Sequence, residues 1–162
     1  MRLLAFLALL ILALFFQLGP ARFIEVGGVG PDLVSLLVLH LALAERFERV
    51  FFLQWLAGAA KDLAGGGDPG LYATACLLAG ILLSRFRDEF FAEHVLTRGL
   101  LALGVSLQIH LVAVFVVFLR HPYLDPFDLF LRVGGVALYT AVVAPVVLLA
   151  LSRALPPRER RS

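Results

Sequence analysis

Hydrophobic residues in this chain are gathered into six runs that contain no Asp, Glu, Lys or Arg. A helix that crosses a membrane needs about 20 apolar residues, within a range of roughly 17–25. Three runs reach or approach that length, at residues 3–19, 99–119 and 133–152. They predict the first, fifth and sixth helices of a membrane protein.

The three runs between them are too short to cross a bilayer on their own. Extension to the nearest caps makes them helices of residues 31–45, 47–64 and 69–84. Helices of that length can span where the bilayer thins locally or where they end inside protein. The chain is therefore predicted to be all-α, a polytopic membrane helical bundle of six transmembrane helices with short second to fourth helices, in a single integral membrane domain of residues 1–162.

Composition agrees with that pattern. Apolar residues make up 61% of the chain, charged residues only 16%, and the mean hydropathy is +0.95. Soluble domains carry about 25% charged residues, so a soluble globular protein is excluded and the lipid bilayer is the expected surrounding. With 14 basic against 12 acidic residues, the chain lacks the basic excess typical of nucleic-acid binding.

The distribution of basic residues predicts the orientation, because cytoplasmic loops collect Arg and Lys. With the N-terminus inside, six spans place ten of the 14 basic residues on the cytoplasmic side and leave outside only Arg22, Lys61, Arg120 and Arg132. Both termini are thus predicted to be cytoplasmic. A cleaved signal peptide is the rival interpretation of residues 1–19, but no small-x-small cleavage site follows the apolar run.

Two connections carry recognisable signals. Residues 84–98 place Phe86, Phe90 and Phe91 at helical spacing among charged residues, which predicts an interfacial helix on the inner surface. Asp125 followed by Pro126 is a helix start signal.

The sequence contains no motif for catalysis, metal binding or cofactor binding. Cys76 is the single cysteine, so neither an internal disulfide nor a paired-cysteine metal site can form. Phosphate-binding loops, HExxH and GxSxG are absent, and Ser106 lies in GVSLQ instead. We therefore expect no catalytic residues, no metal and no cofactor, and the protein is not expected to be an enzyme.

Ionisable residues inside a membrane are costly, so each needs an explanation. Asp32 follows Pro31 at the start of the second helix, where a carboxylate faces the positive end of the helix dipole and acts as a cap. Asp62 lies at the disfavoured end of the third helix and needs a partner. We expect it to accept hydrogen bonds from backbone N–H groups at the start of the fourth helix, or from Tyr72. A proton relay is the alternative for Asp62.

The third helix also carries a stripe of polar and small residues. Gln54, Gly58, Asp62 and Gly65 share one face, so another helix can approach it closely. In the fifth helix, Gly99, Ser106 and His110 lie on one face, and Gly104 and Gln108 lie on the opposite one, which predicts two packing faces. The sixth helix repeats the theme with small residues that form a stripe, Gly134, Ala137, Ala141 and Ala144.

The stretch from Gly30 to Arg87 resembles the MreD family, the multispan membrane component of the bacterial rod-shape machinery. Two segments carry the resemblance, VGPDLVSLLVLHLAL and GAAKDLAGGGDPGLYATACLLAGILLSRFR. The residues that match are, in chain order, Pro31, Asp32, Gly58, Asp62, Gly70 and Tyr72. The chain departs from the family at Lys61, where members are usually apolar.

The resemblance implies a six-helix fold similar to the S components of energy-coupling-factor transporters, and a role without catalysis. It implies binding to MreC, a single-span protein, and through it to the MreB filament, the RodA glycosyltransferase and a class B transpeptidase. The expected function is a scaffold of cell-wall elongation that maintains rod shape in the bacterial cytoplasmic membrane. The six matching residues would then shape a docking surface or a vestigial pocket.

A different class remains open on the same fold. As the S component of a vitamin-type importer, the chain would bind a small molecule, with His40, Gln54 and His110 lining the pocket. Metal binding by the histidines is not expected, because a lone histidine in a helical bundle is more often a hydrogen-bonded packing residue.

Overall fold

The computed structural model describes residues 2–44, 47–65, 69–86, 95–120 and 125–154. Over these residues the protein is all-helical, with no β-strand. Its six α-helices, in chain order, are α1 (Arg2–Leu18), α2 (Leu33–Ala44), α3 (Phe47–Gly65), α4 (Leu71–Phe86), α5 (Val95–Arg120) and α6 (Pro126–Ala154). A short 3-10 helix, Pro20–Ile24, follows α1.

The helices coincide closely with the predicted segments, and the largest difference is the start of α6. This helix begins at Pro126, where the apolar run alone predicted residue 133. Asp125 explains the earlier start, because its carboxylate accepts a hydrogen bond from the backbone N–H of Phe127 at 2.9 Å. The predicted start signal is confirmed. Residues 87–94 of the predicted interfacial helix, and Gly66, Gly67 and Asp68 of the predicted turn, lie outside the described residues.

Two helices are long and apolar enough to cross a membrane by length and composition, over Leu96–Arg120 in α5 and Phe127–Ala154 in α6. Shorter apolar helices occur at Leu3–Leu18, Leu33–Ala44 and Leu71–Arg85. This finding suggests a membrane protein, in agreement with the composition.

The centre of the bundle is α2. All nine residues from Val34 to Ala42 are buried, and α2 contacts each of the other five α-helices. A helix that is hydrophobic on every side, as this one is, gains from burial on every side. The polar side chains of Asp32 and Ser35 at the start of α2, and of His40 within it, therefore lie inside the protein.

The connection between α1 and α2 folds back onto α6. Val26 and Val29 exchange backbone hydrogen bonds of 2.9 and 3.1 Å around a turn in which Gly27 and Gly28 both have positive φ. The side chain of Val29 lies against Gly135, and the Tyr139 hydroxyl donates to the carbonyl of Ile24 at 2.8 Å. This connection thus positions the start of α2 beside α6.

Candidate functional site

The feature that stands out is a buried ion pair between α2 and α3. The ammonium of Lys61 lies 2.5 Å from Oδ2 of Asp32, and the Asp32 side chain is 1% exposed. Removing two charges from water is costly, and the cost is offset only when the remaining hydrogen-bonding capacity is also satisfied. The surroundings of Asp32 therefore decide whether this pair stabilises the fold.

Asp32 caps α2, as predicted, and makes further contacts. Its Oδ1 accepts from the backbone N–H of Ser35 at 3.3 Å, and its Oδ2 accepts from the Ser35 hydroxyl at 2.5 Å. The backbone N–H of Asp32 donates to Oγ1 of Thr140 in α6 at 2.9 Å. The preceding residue, Pro31, is buried and has no N–H group that would need a partner. The capping role and the ion pair therefore use the same carboxylate.

Tyr72 of α4 lies over the ammonium, and His110 of α5 packs against Tyr72. The Lys61 nitrogen lies 4.2 Å from the centroid of the Tyr72 ring, a cation–π contact. Tyr72 in turn meets the ring of His110 edge-on, with 6.1 Å between centroids. His110 Nδ1 lies 2.8 Å from the carbonyl of Ser106, and since a carbonyl can only accept, Nδ1 carries the proton.

We call Asp32, Ser35, Lys61, Tyr72 and His110 the ionic cluster. Nε2 of His110 lies 3.5 Å from Oδ2 of Asp32, which is longer than a normal hydrogen bond. The cluster, together with Thr140, draws on every helix from α2 to α6. Ser35 and His110 both lie beside the Asp32 carboxylate, and the charges of Asp32 and Lys61 balance each other. Chemically, the arrangement holds helices in register.

Asp62, the next residue after Lys61, caps α4. Its Oδ2 accepts from the backbone N–H groups of Gly70 at 3.0 Å and Ala73 at 3.1 Å, and its Oδ1 accepts from that of Tyr72 at 2.9 Å. The expected hydrogen bonds to the start of the fourth helix are confirmed. The positive end of the α4 dipole compensates for the unfavourable position of this carboxylate at the end of α3. Gly70 adopts a φ of 90°, which lets the chain turn into α4.

The predicted stripe on α3 faces α4. A Cβ atom on Gly58 would collide with the backbone of Tyr72 and Ala73, so the two helices touch through their main chains there. One turn earlier on the stripe, Gln54 lies against Gly80 of α4. Its Nε2 donates to the carbonyl of Val38 in α2 at 3.3 Å, while its Oε1 is buried and has no hydrogen-bond partner among the described residues. The close approach predicted for this face is therefore made within the chain.

The three residues considered for a small-molecule pocket have different surroundings. His110 belongs to the ionic cluster, Gln54 lies at the contact of α2, α3 and α4, and His40 is buried in α2. Among the described residues, a groove of about 430 Å³ lies between α4 and α5, and another of about 430 Å³ lies between α5 and α6. None of the three residues lines either groove.

Within the described ranges, no three His, Cys, Asp or Glu side chains come together in a way that could hold a metal ion. Cys76 is buried in α4 as a free thiol.

Comparison of the chain with protein-family models, with curated proteins and with solved structures finds no match.

Sequence reasoning found Asp32, Asp62, Gly58 and Tyr72 but not what joins them. The sequence predicted Lys61 to be one of four basic residues outside the cytoplasmic surface and a departure from the MreD pattern, but its pairing with Asp32 was not predicted. A signal was available, because the predicted topology of six alternating spans would place the start of the second helix and the end of the third at the same membrane surface. Two opposite charges at that surface, in a chain with so few, are natural partners.

Proposed function

We propose that this chain is an MreD-like, non-catalytic membrane scaffold of the bacterial cell-wall elongation machinery. Its six helices span the cytoplasmic membrane with both termini in the cytoplasm. It binds a single-span MreC-like protein and, through it, the MreB filament, the RodA glycosyltransferase and a class B transpeptidase. In this way it helps to maintain rod shape.

The observation that supports this proposal most is how the buried polar side chains are used. Asp32 and Lys61 join α2 to α3, and Asp62 joins α3 to α4. Each of these groups forms its contacts with other groups of the same chain. Contacts of this kind stabilise a protein that binds other helices by packing. A catalytic site would instead hold reactive groups ready for a substrate.

The positions of the motif residues also agree with a six-span topology. The start of α2, the end of α3 and the start of α4 meet at one end of the bundle, where Asp32, Lys61, Asp62 and Tyr72 are gathered. Helices that alternate in direction bring these three ends together. The six residues shared with the MreD pattern then shape this end of the bundle.

We favour the scaffold over the importer component because of His110 and Gln54. His110 lies beside the Asp32 carboxylate and Gln54 bonds to the main chain of α2, so both are engaged in packing. An importer component would instead present such side chains to a cavity large enough for its ligand.

The test is affinity purification of the tagged chain in mild detergent, followed by identification of the proteins that copurify. We expect a single-span protein with an external coiled coil, together with cell-wall synthases. A tagged, unrelated multispan protein of similar abundance is the control. Recovery of paired ATPases with a coupling membrane subunit would contradict the scaffold and support the importer.

A further inference from the structure

The groove between α4 and α5 is the least explained surface of the bundle. It extends along α5 from Thr97 to Gln108, about three helical turns, and Leu82 and Leu100 contribute to its apolar walls. Its volume is about 430 Å³. A concave, elongated and mostly apolar surface of this kind fits one convex helix laid along it.

The lining includes two polar side chains, Thr97 at one end of the groove and Gln108 at the other. Gln108 is the middle residue of the stretch Leu96–Arg120, the membrane-length segment of α5. Its side chain is partly exposed in the groove, and among the described residues nothing forms a hydrogen bond with its amide. On the proposed six-span topology, this amide sits near the middle of the hydrocarbon layer, where an unpaired polar group is most unfavourable.

The face of α5 that carries Gln108 differs from the face that packs into the bundle. Ser106 and Ile109 are fully buried, whereas Gly104, one turn before Gln108, is exposed and has open space where a Cβ would be. Of the two packing faces expected from the sequence, the structure shows packing at the face of Ser106, whereas Gly104 on the opposite face stays uncovered by the described residues. At Gly104 a partner backbone can approach closely, next to the amide that lacks a partner.

The unpaired amide restricts what can occupy the groove. Acyl chains offer no hydrogen-bonding group, and lipid headgroups lie about 15 Å from the middle of a hydrocarbon layer that is about 30 Å thick. A second copy of the chain would place one concave groove against another in a symmetric dimer, and any other arrangement of copies would tend to extend into a filament. A single helix with a hydrogen-bonding side chain at its own middle satisfies both the shape and the amide.

We propose that the α4–α5 groove is the docking site for one transmembrane helix of a partner protein, and that Gln108 forms a hydrogen bond with a polar side chain near the middle of that helix. This inference rests on the proposed function and adds to it the place of contact. Leu82 and Leu100 then pack against apolar residues of the partner helix, and Gly104 lets the two backbones come close.

The experiment introduces a photo-crosslinking amino acid at Leu100, in the groove, in the full chain in its native membrane. The matched control is the same amino acid at Leu138 of α6, which is similarly exposed, 61% against 67%, but lies outside both grooves. We expect Leu100 to form an adduct with a protein that mass spectrometry identifies as single-span. We expect Leu138 not to form that adduct.

Two substitutions then test the chemistry. Gln108→Leu removes the amide and is expected to lower the yield of the Leu100 adduct roughly three- to tenfold, whereas Gln108→Asn keeps an amide and is expected to retain part of it. Gly104→Leu fills the closest point of approach and is expected to lower the yield roughly tenfold. Gly134→Leu is its control, because Gly134 also has open space beside it but lies in α6.

The outcomes separate this inference from the proposed function. Adducts at Leu100 with lipid alone or with a second copy of the chain would overturn the inference, as would yields insensitive to Gln108→Leu and Gly104→Leu. If the groove captures a single-span protein that is not part of cell-wall synthesis, the docking site stands and the proposed function fails. If cell-wall partners copurify but crosslink only at Leu138, the function stands and the groove assignment fails.

Discussion

Two regions of the bundle are held together by different interactions. The short helices α2, α3 and α4 contact one another through directional groups, with a buried ion pair, a carboxylate cap and a glycine that brings two main chains together. The hairpin of α5 and α6 has helices of 26 and 29 residues, and it exposes many large apolar side chains. Within the hairpin, small residues provide the close contact, as where Gly99 approaches the carbonyl of Ala141.

The difference teaches where specificity comes from in a protein of this composition. Among lipid tails, apolar surface gains little from leaving lipid for another helix, so hydrogen bonds and close backbone contact decide which faces meet. In α2–α4 the ion pair and the carboxylate cap are satisfied inside the chain, whereas the buried Oε1 of Gln54 has no partner among the described residues. In α5, Gln108 and Gly104 are left facing outward. The contacts among α2, α3 and α4 therefore lie within the chain, and the α4–α5 groove is the proposed docking site.

The largest loss of stability is expected when a residue of the ion pair is substituted. Lys61→Met leaves the Asp32 carboxylate buried without its counter-charge and is expected to lower the free energy of unfolding by about 3–5 kcal/mol. The double variant Asp32→Asn, Lys61→Met removes both charges and is expected to regain most of that loss. Denaturant unfolding of the purified protein in mild detergent measures both.

The control for this pair is Arg153→Met, which removes an exposed positive charge from the last turn of α6. We expect a change within about 0.5 kcal/mol, as for most surface substitutions. A double variant as unstable as Lys61→Met alone would show that the individual side chains matter and that their pairing does not.

A smaller effect is expected at the glycines. Gly58→Ala places a methyl group against the backbone of Tyr72 and Ala73, and neither main chain can yield without moving α3 from α4. The expected loss is about 1–3 kcal/mol. Gly134→Ala on α6 meets open space and is expected to be neutral or to stabilise the helix by up to about 1 kcal/mol.

Thermal unfolding in detergent, monitored by gel filtration, gives the melting temperatures of these two glycine variants for direct comparison. Equal melting temperatures for Gly58→Ala and Gly134→Ala would mean that the contact between α3 and α4 is loose. Gly58 of α3 would then be no more tightly packed than Gly134 of α6, and the two regions would not differ in this respect.

The smallest of the three effects is expected at the capping carboxylates, because both regions contain one. Asp62→Ala leaves three backbone N–H groups at the start of α4 without their acceptor and is expected to cost about 2 kcal/mol. Asp125→Ala removes a single bond at the exposed start of α6, at an expected cost of about 0.5 kcal/mol. Hydrogen exchange at Tyr72 and Phe127 reports each helix start separately, and a larger fold increase in exchange rate at Phe127 on Asp125→Ala than at Tyr72 on Asp62→Ala would reverse the expected order.

Helix positions could be read from the sequence almost completely. Uncharged apolar runs and their caps placed α1 to α4 within about two residues, because a helix end needs a cap or a break that local residues supply. The α6 start was predicted seven residues late from its apolar run, although Asp125 and Pro126 signalled it. Apolar content indicates how much of a helix prefers lipid, and it does not determine where the helix begins.

Part of the site was also predictable. The acceptor role of Asp62 followed from the electrostatics of helix ends, since a carboxylate at the end of α3 is favourable only next to the start of another helix. The stripe of Gln54 and Gly58 predicted a close neighbour, because small residues at helical spacing remove the obstacle to backbone contact. Local chemistry determined these features, and the chain order made α4 the nearest helix available.

What the sequence by itself determined, therefore, is the set of helices, their caps and the faces able to pack. Only the tertiary structure decided that Lys61 pairs with Asp32, that His110 joins them from α5, and that Gln108 remains outside. These outcomes depend on which residues, far apart in the chain, occupy the same few ångströms. That choice is made by the packing of all six helices around α2, and periodicity along one helix carries no information about it.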